Sequence, residues 1–73
     1  MAELIIYTVR TCATCARAVH ELTEEGVEFE ERDIRKDPAW FEEASKLAIS
    51  VPILVRGDRI DVGWKGDMGC PFQ

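Results

Sequence analysis

Two cysteines, Cys12 and Cys15, are separated by two residues, a spacing that allows them to form a disulfide within one helical turn. They follow a run of strand-forming residues and precede a segment with helical periodicity, so we expect them to open a helix. The unpaired backbone N–H groups and the positive dipole end of a helix N-terminus favour a thiolate at the first cysteine. The pattern therefore predicts thiol–disulfide exchange, in which Cys12 attacks a substrate disulfide and Cys15 resolves the mixed disulfide.

Ionisation of Cys12 is the physical requirement of this chemistry, because the thiolate is the nucleophile. A free thiol with a pKa of about 8.5 is only about 3% ionised at pH 7. A decrease of about two pKa units, each worth roughly 1.4 kcal/mol, would make most of the population nucleophilic. Helix amides, the helix dipole and a cation such as Arg10 or Arg17 can together supply this decrease. We therefore expect Arg10 and Thr11 to stabilise the thiolate, and Thr11 to cap the helix.

Composition and charge restrict the class of protein. The 73 residues allow one domain, residues 1–73, with a modest core. The net charge is −5, and ten of the fourteen acidic residues lie between Glu21 and Glu43, which argues against nucleic acid as a partner. Before Glu21 a single acidic residue opposes two arginines, which favours an anionic or glutathione-like substrate near the cysteines.

The cysteine count and the hydropathy pattern indicate the cellular compartment. Three cysteines with one C-x-x-C pair are typical of a cytosolic redox protein and not of a secreted scaffold stapled by disulfides. No apolar run approaches the roughly 20 residues that span a bilayer, and the N-terminus has no signal-peptide pattern. We expect a soluble, cytoplasmic monomer that does not contact the membrane.

The first half of the chain predicts a central strand, a helix and an edge strand. Residues 4–9 are almost continuously apolar and β-branched, as in a strand buried on both faces at the centre of a sheet. The helix that follows has an apolar face at helical spacing and ends at Gly26. Residues 27–34 carry too many acidic side chains for a central strand and favour the edge.

The second half predicts another helix, a hairpin and a short final turn of helix. Asp37 and Pro38 are a typical cap and first helical residue, and this helix is expected to end near residue 49. Residues 50–55 predict a strand that returns through the turn at residues 56–59 into a strand over residues 60–62. Asp67 is expected to cap the final helical turn. The prediction is an α/β fold of order β-α-β-α-β-β with a four-stranded mixed sheet and a right-handed parallel crossover.

Three segments resemble the thioredoxin superfamily, and within it the glutaredoxins and the glutaredoxin-like NrdH redoxins. Thr11-Cys12-Ala13-Thr14-Cys15 stands where glutaredoxins carry T-C-x-x-C, and Ser50-Val51-Pro52 stands where they carry T-V-P. Trp64-Lys65-Gly66 resembles the W-S-G step of NrdH redoxins. The resemblance covers essentially the whole chain. It implies the minimal thioredoxin-like fold and a thiol–disulfide oxidoreductase of the glutaredoxin type.

The resemblance also implies a substrate groove. In glutaredoxins the proline of the T-V-P step is cis and faces the cysteines, which implies that Pro52 positions the Val51 backbone to pair with glutathione or a substrate strand. The turn from Gly63 to Asp67, with Trp64 inside it, would form the rest of the groove. In that family an acidic residue corresponding to Asp67 holds the amino end of glutathione.

Two departures from the glutaredoxin pattern leave the electron donor open between glutathione and thioredoxin reductase. Val9 stands where glutaredoxins usually carry a lysine, and the turn at residues 63–67 replaces their Gly-Gly pair. Disulfide-containing proteins are the expected substrates with either donor. The mechanism requires no organic or metal cofactor, and glutathione would be a co-substrate. Some small relatives carry selenocysteine at the position of Cys12, and the sequence does not say which residue is natural there.

Several alternatives accompany this interpretation. A zinc site would need Cys70 and His20 as further ligands, but His20 lies about 140° around the helix from Cys15 and points away, so no metal site is predicted. A non-catalytic binding module, or a carrier of a metal cluster shared between chains, is the alternative from another class. Cys70 is interpreted as incidental, as a site for a mixed disulfide with glutathione, or as a regulatory thiol.

The first 40 residues also resemble the arsenate reductase and Spx family. This second resemblance rests on Tyr7, five residues before Cys12, and on the segment at residues 29–34. That family inserts a helical block before its V-P hairpin, and the interval between Ile34 and Pro52 holds only the second predicted helix. Arsenate reduction is therefore a minor alternative.

Overall fold

The apolar, β-branched run near the N-terminus forms an inner strand of the sheet in the computed structural model, which describes residues 3–72. The elements are, in order, β1 (Leu4–Thr8), α1 (Ala13–Glu24), β2 (Phe29–Asp33), α2 (Pro38–Leu47), β3 (Ser50–Val51), β4 (Ile53–Arg56), β5 (Arg59–Val62) and β6 (Cys70–Pro71). The main sheet has the order β2-β1-β4-β5, with β1 parallel to β2 and antiparallel to β4, and with β4 antiparallel to β5. The predicted α/β fold with two main helices and a four-stranded mixed sheet is confirmed.

Alternation along β1 divides the core between the two faces of the sheet. Leu4 and Ile6 pack with residues of α1, whereas Tyr7 packs on the other face with residues of α2. Cys12 and Cys15 belong to the cluster on the α2 face, although they open α1. The cysteines therefore lie at the start of α1 but pack into the apolar cluster on the α2 face of the sheet.

The start of α1 differs from the prediction. The N-cap is Cys12, with an extended backbone at φ −92° and ψ 115°, and not Thr11. The Cys12 N–H donates to the Val9 carbonyl at 3.2 Å, which closes a turn and delays the helix until Ala13. The prediction that Thr11 caps the helix is therefore wrong, and Thr11 lies exposed in the turn before it.

The end of α1 follows the prediction. Gly26 has a φ of +74° and donates to the Thr23 carbonyl, while the Val27 N–H donates to the Leu22 carbonyl. These two bonds make a Schellman motif, which satisfies carbonyls that a helix end would leave free. The motif directs the chain across to β2 at the sheet edge, which is the predicted position of that strand.

The start of α2 and the β4–β5 hairpin also follow their local signals. Asp37 is the N-cap of α2 and accepts from the Ala39 N–H at 2.9 Å, and Pro38 is the first helical residue. Arg56 pairs with Arg59 across a two-residue turn in which Gly57 has a φ of +60°. The helix ends at Leu47, two residues before the predicted end. The single strand predicted over residues 50–55 is wrong, because it is divided at Pro52 into β3 and β4, which belong to different sheets. None of the helices within residues 3–72 has the length and apolar character to cross a bilayer.

The predicted C-terminal helical turn is wrong. Residues 70–71 form β6, which pairs antiparallel with β3 in a small second sheet. Three glycines before β6 have positive φ values, 89° at Gly63, 88° at Gly66 and 84° at Gly69. A right-handed helix cannot contain these conformations. The glycines therefore fold residues 63–69 into a compact turn that returns the chain to β3.

Candidate functional site

The position of Cys12 results from the turn that connects β1 to α1. Its carbonyl accepts the first helical hydrogen bond, from the Ala16 N–H at 3.1 Å, so the Cys12 side chain lies at the helix entrance. The N–H groups of Thr14 and Cys15 belong to the first helical turn and have no acceptor within the helix. The backbone thus presents positive partial charge to the Cys12 sulfur.

The pKa of Cys12 is lowered from its ordinary value. Burial opposes ionisation of the thiol, which is only 2% exposed. Hydrogen bonding from the Cys70 thiol and from the Cys15 backbone N–H outweighs this burial, with smaller contributions from the Cys15 thiol and the Thr14 N–H. The thiolate of Cys12 is therefore stabilised mainly by neighbouring thiols and by the helix amides that the sequence predicted, and Arg10 is not among the larger contributions.

Cys15 lies three residues further along α1, in a different environment. It is buried, and burial raises its pKa to about 12, against a smaller opposing effect of the Val9 backbone and with added repulsion from Cys12. At neutral pH Cys15 therefore holds its proton, whereas Cys12 gives up its proton more readily than an ordinary thiol. Cys12 is therefore the better nucleophile of the two, and Cys15 is a protonated thiol beside it.

The Val51–Pro52 step lies opposite Cys12. The peptide bond between these residues is cis, and the Cys12 Sγ lies 3.9 Å from the Val51 carbonyl oxygen. The Val51 backbone is not free, because it pairs with Cys70 in the β3–β6 ladder. The chain's own β6 thus occupies one side of the residue for which the resemblance implied a glutathione or substrate strand.

Cys70 lies beside the cysteine pair, a position that the sequence did not predict for it. Its partner in the ladder is Val51, and it packs half-buried against the apolar cluster that contains Cys12 and Cys15. One sequence signal was available, because the residue before a proline is pushed toward extended geometry and Cys70 precedes Pro71. All three cysteines of the chain therefore meet at one place, each as a free thiol.

Asp67 connects the turn of residues 63–69 to α1. Its Oδ2 accepts from the Thr14 hydroxyl at 2.9 Å and from the Arg17 guanidinium at 3.4 Å, and its Oδ1 accepts from the Gly69 N–H at 3.0 Å. The Gly69 N–H and the Thr14 hydroxyl hold the pKa of Asp67 below its ordinary value. The carboxylate that was predicted to bind substrate is thus already engaged in fixing the loop, and Thr14 is a participant that the sequence did not indicate.

The remaining predicted binding residues lie further apart. The Gly63 N–H donates to the Pro52 carbonyl at 2.9 Å, which joins the turn to the cis-proline step. Trp64 packs against the cluster on the α1 face, and with Asp67 it lines a cavity of about 570 Å³. Arg10 is exposed and lines a different groove, of about 580 Å³, together with Cys15. Gly63, Trp64 and Asp67 therefore line one cavity, whereas Arg10 lines another that also includes Cys15.

His20, to which the sequence assigned no role, lines the same groove as Arg10 and Cys15. It is exposed on α1 and its Nε2 lies 3.4 Å from a carboxylate oxygen of Glu24. Over residues 3–72, no group of three or more His, Cys, Asp or Glu side chains has an arrangement suited to holding a metal ion.

Comparisons with known proteins agree with this arrangement. A family model described as Glutaredoxin matches residues 4–60. The crystal structure of a glutaredoxin from Archaeoglobus fulgidus superposes with a TM-score of 0.76 at 33% identity, over 89% of this chain and 78% of that one. The NrdH-redoxin from Escherichia coli, described as having a thioredoxin-like activity profile, superposes with a TM-score of 0.77 at 24% identity, over 89% and 87%. No curated protein sequence matches significantly.

The family match spans most of the chain, from β1 through the start of β5, and it includes the C-x-x-C entrance to α1 and the cis-proline step. The archaeal structure covers a larger share of the chain, 89%, at 33% identity. The chain therefore belongs to the glutaredoxin family.

Proposed function

We propose that this protein is a dithiol–disulfide oxidoreductase that reduces protein disulfides or mixed disulfides of glutathione. The observation that carries the proposal is the position of Cys12 at the N-cap of α1, with Cys15 in the first helical turn and the Val51 carbonyl oxygen of the cis Val51–Pro52 step 3.9 Å from the Cys12 sulfur. The opposite directions of the two pKa shifts, lowered at Cys12 and raised to about 12 at Cys15, agree with it. The Cys12 thiolate attacks the substrate disulfide and expels one thiolate. Cys15 then gives up its proton and attacks Cys12, which releases the second thiol and leaves a Cys12–Cys15 disulfide.

The change of charge during this reaction supports the order of the two steps. Repulsion from ionised Cys12 contributes to the raised pKa of Cys15, after the larger effect of burial. Once Cys12 is bonded to the substrate sulfur, its negative charge is gone and the Cys15 thiolate becomes easier to form. Cys15 is therefore suited to act second. We propose that the reaction takes place in the cytoplasm and needs no bound cofactor, with glutathione as a co-substrate.

A coupled assay tests the proposal. The reduced protein is incubated with a glutathione mixed disulfide, glutathione, glutathione reductase and NADPH, and the consumption of NADPH is followed. Cys12→Ser should abolish turnover, because it removes the nucleophile. Cys15→Ser should retain the attack and accumulate a mixed disulfide at Cys12, which mass spectrometry detects. Absence of turnover in the wild-type protein with every donor, together with a Cys12 pKa near that of a free thiol, would instead favour the non-catalytic binding module.

A second candidate is an NrdH-like redoxin that takes electrons from thioredoxin reductase. Two observations favour it, namely the Trp64-Lys65-Gly66 step and an exposed apolar patch formed by Ile49, Val62 and Met68 beside β6. Exposed apolar side chains that share one small surface are typical of contacts with protein partners. A tripeptide such as glutathione would depend less on an apolar patch of this kind for its binding.

The same assay distinguishes the two donors when thioredoxin reductase replaces the glutathione system. Turnover with glutathione alone assigns a glutaredoxin, and turnover with thioredoxin reductase alone assigns an NrdH-like redoxin. The matched variant is Met68→Ser, which removes the most exposed apolar side chain of the patch, at 83% exposure. It should raise the KM for the reductase and leave the rate of Cys12 alkylation unchanged.

A further inference from the structure

Cys70 is a nucleophilic side chain that the proposed two-cysteine reaction does not use. It lies beside Val51 in the β3–β6 ladder, and the carbonyl of Val51 is 3.9 Å from the Cys12 sulfur. Cys70 also packs against the apolar cluster that includes both active-site cysteines. Cys12 therefore has two other thiols nearby, that of Cys15 on its own helix and that of Cys70 on the final strand.

Close packing fixes Cys70 in this position. A Cβ on Gly69 would lie 1.9 Å from the Val51 carbonyl oxygen, so only glycine permits the backbone to approach β3 this closely. On the other side of Cys70, the Phe72 N–H donates to the Ile49 carbonyl at 3.1 Å. The Phe72 ring is buried and meets the ring of Phe41 edge-on, with 5.6 Å between centroids. The thiol of Cys70 is thus held between two anchored neighbours.

The electrostatics of Cys70 make its reactivity conditional on the state of Cys12. Its pKa is raised first by the hydrogen bond to Cys12, then by burial and by repulsion from the charge on Cys12. Two of these three effects depend on an ionised Cys12. When Cys12 becomes part of a mixed disulfide, both effects disappear and the Cys70 thiolate forms more readily. Cys70 therefore gains nucleophilicity at the point where a resolving thiol is needed.

We propose that Cys70 is a second resolving thiol, which attacks the mixed disulfide at Cys12 and forms a Cys12–Cys70 disulfide. The proposal rests on the proposed oxidoreductase function. Cys12 attacks a substrate disulfide and expels the first thiolate, which takes up a proton. The Cys70 thiolate then bonds to the Cys12 sulfur, the bond from Cys12 to the substrate sulfur breaks, and the second substrate thiol leaves. Two protein thiols lose two electrons, the substrate disulfide gains them, and a thiol donor later restores both cysteines.

This role would give the enzyme two oxidised forms with different surfaces. A Cys12–Cys15 disulfide closes within the first turn of α1. In this form β6 is held to β3 by noncovalent contacts alone. A Cys12–Cys70 disulfide ties the final strand to the start of α1 and links residues that are 58 positions apart in the sequence. We therefore expect the second form to resist unfolding more strongly, because it restricts a longer loop of the unfolded chain.

The test uses the full chain and the aromatic disulfide 5,5′-dithiobis(2-nitrobenzoate), at one equivalent per protein molecule. Cys15→Ser retains Cys12 and Cys70, Cys70→Ser retains the C-x-x-C pair, and Cys15→Ser/Cys70→Ser retains only Cys12. Attack by Cys12 releases one coloured thiol, and internal resolution releases a second. The protein is then digested without reduction, and the linked peptides are identified by mass spectrometry.

In Cys15→Ser we expect release of both coloured thiols and a linked peptide that joins residues 12 and 70. The second release should be independent of protein concentration and at least about tenfold faster than in the double variant, because the attacking thiol is held in place. An adduct in Cys15→Ser that lasts as long as in Cys15→Ser/Cys70→Ser would overturn the role of Cys70. Cys70→Ser must still form the Cys12–Cys15 disulfide, and its failure to do so would overturn the proposed oxidoreductase function instead.

Discussion

The Sγ of Cys12 lies 3.9 Å from the carbonyl oxygen of Val51, across the junction between α1 and β3. In the thiol form this carbonyl accepts a weak hydrogen bond from Cys12. After ionisation there is no proton to donate, and the carbonyl dipole then opposes the negative charge. The thiolate must therefore obtain its stabilisation elsewhere, and the groups in place are the helix amides and the Cys70 thiol.

Removal of the Cys70 thiol should raise the pKa of Cys12. Burial already acts in that direction, and hydrogen bonding from Cys70 is the largest effect opposing it. We expect Cys70→Ala to move the midpoint of Cys12 alkylation to higher pH, whereas Cys70→Ser keeps an O–H donor and should stay nearer the wild type. Each unit of increase reduces the thiolate fraction at lower pH about tenfold. The measurement is the pH profile of iodoacetamide alkylation at Cys12 by mass spectrometry. Equal midpoints for the alanine variant and the wild type would contradict this prediction.

The reduced protein should lose stability in alkaline solution because of Cys15. This thiol ionises at a pKa of about 12 in the folded chain and at about 8.5 in an unfolded one. Between these values the folded state holds a proton that the unfolded state has released, so the free energy of unfolding decreases as pH rises. The contribution of a single group is up to about 1.4 kcal/mol per pH unit.

Urea denaturation at pH 8 to 11 with excess reductant measures this slope. Cys15→Ala removes the titrating thiol and should show a shallower decrease than the wild type, whatever its stability at pH 7. Parallel curves for the two proteins would mean that Cys15 ionises alike in the folded and unfolded chains.

Gly69→Ala should displace β6 and open the site. Gly66→Ala is the matched control, because the φ values are 84° at Gly69 and 88° at Gly66, but an added Cβ meets no atom within 4 Å at Gly66. Both variants should lose about 1 kcal/mol from the left-handed conformation alone. Gly69→Ala should lose more, because its Cβ collides with the Val51 carbonyl, and alkylation of Cys12 should become faster. Urea midpoints and alkylation rates test both parts, and similar behaviour of the two variants would count against the close approach.

Tyr7 should support stability and not turnover. Its hydroxyl donates to Glu43 at 2.8 Å and accepts from Arg32 at 3.2 Å, which connects β1 to α2 and β2. Tyr7→Phe removes these bonds and should lower the free energy of unfolding by about 1 kcal/mol, with kcat and KM unchanged. Glu43→Gln keeps an acceptor and should have a smaller effect on stability. A large loss of turnover in Tyr7→Phe at retained stability would show that the hydroxyl acts in the reaction.

Local signals in the sequence were sufficient for most of the fold. The apolar run of β1, the Asp37-Pro38 start of α2 and the glycine at the end of α1 each determine their element through interactions within a few residues. Thr11 shows the limit of such reasoning. Threonine is a better helix cap than cysteine by preference, but the turn that returns to Val9 delays the helix by one residue.

The candidate site was less predictable, since its third thiol depends on contacts between distant parts of the chain. Cys12 and Cys15 could be identified because their spacing and their helix start are local. Cys70 joins them through a ladder of only two residues on each strand, and through the approach of Gly69 to Val51. Strands of two residues are too short to show an alternation of apolar and polar residues in the sequence. The predicted capping role of Asp67 failed because the positive φ values of the neighbouring glycines leave no helix to cap, and its carboxylate instead accepts from Gly69 in its own turn and from Thr14 on α1.

The near-complete burial of Cys12, at 2% exposure, has a kinetic consequence. A sulfur that solvent barely reaches cannot meet a bulky disulfide until its surroundings open, so encounter with large substrates is gated by a conformational step. The observed rate of reaction with large disulfides should level off at high substrate concentration, where it equals the rate of opening. The rate with small reagents, which need only a narrow passage to the sulfur, should continue to rise with concentration. Under the proposed function, selection among disulfides by size would then be a property of the folded protein at rest, decided before any bond is exchanged.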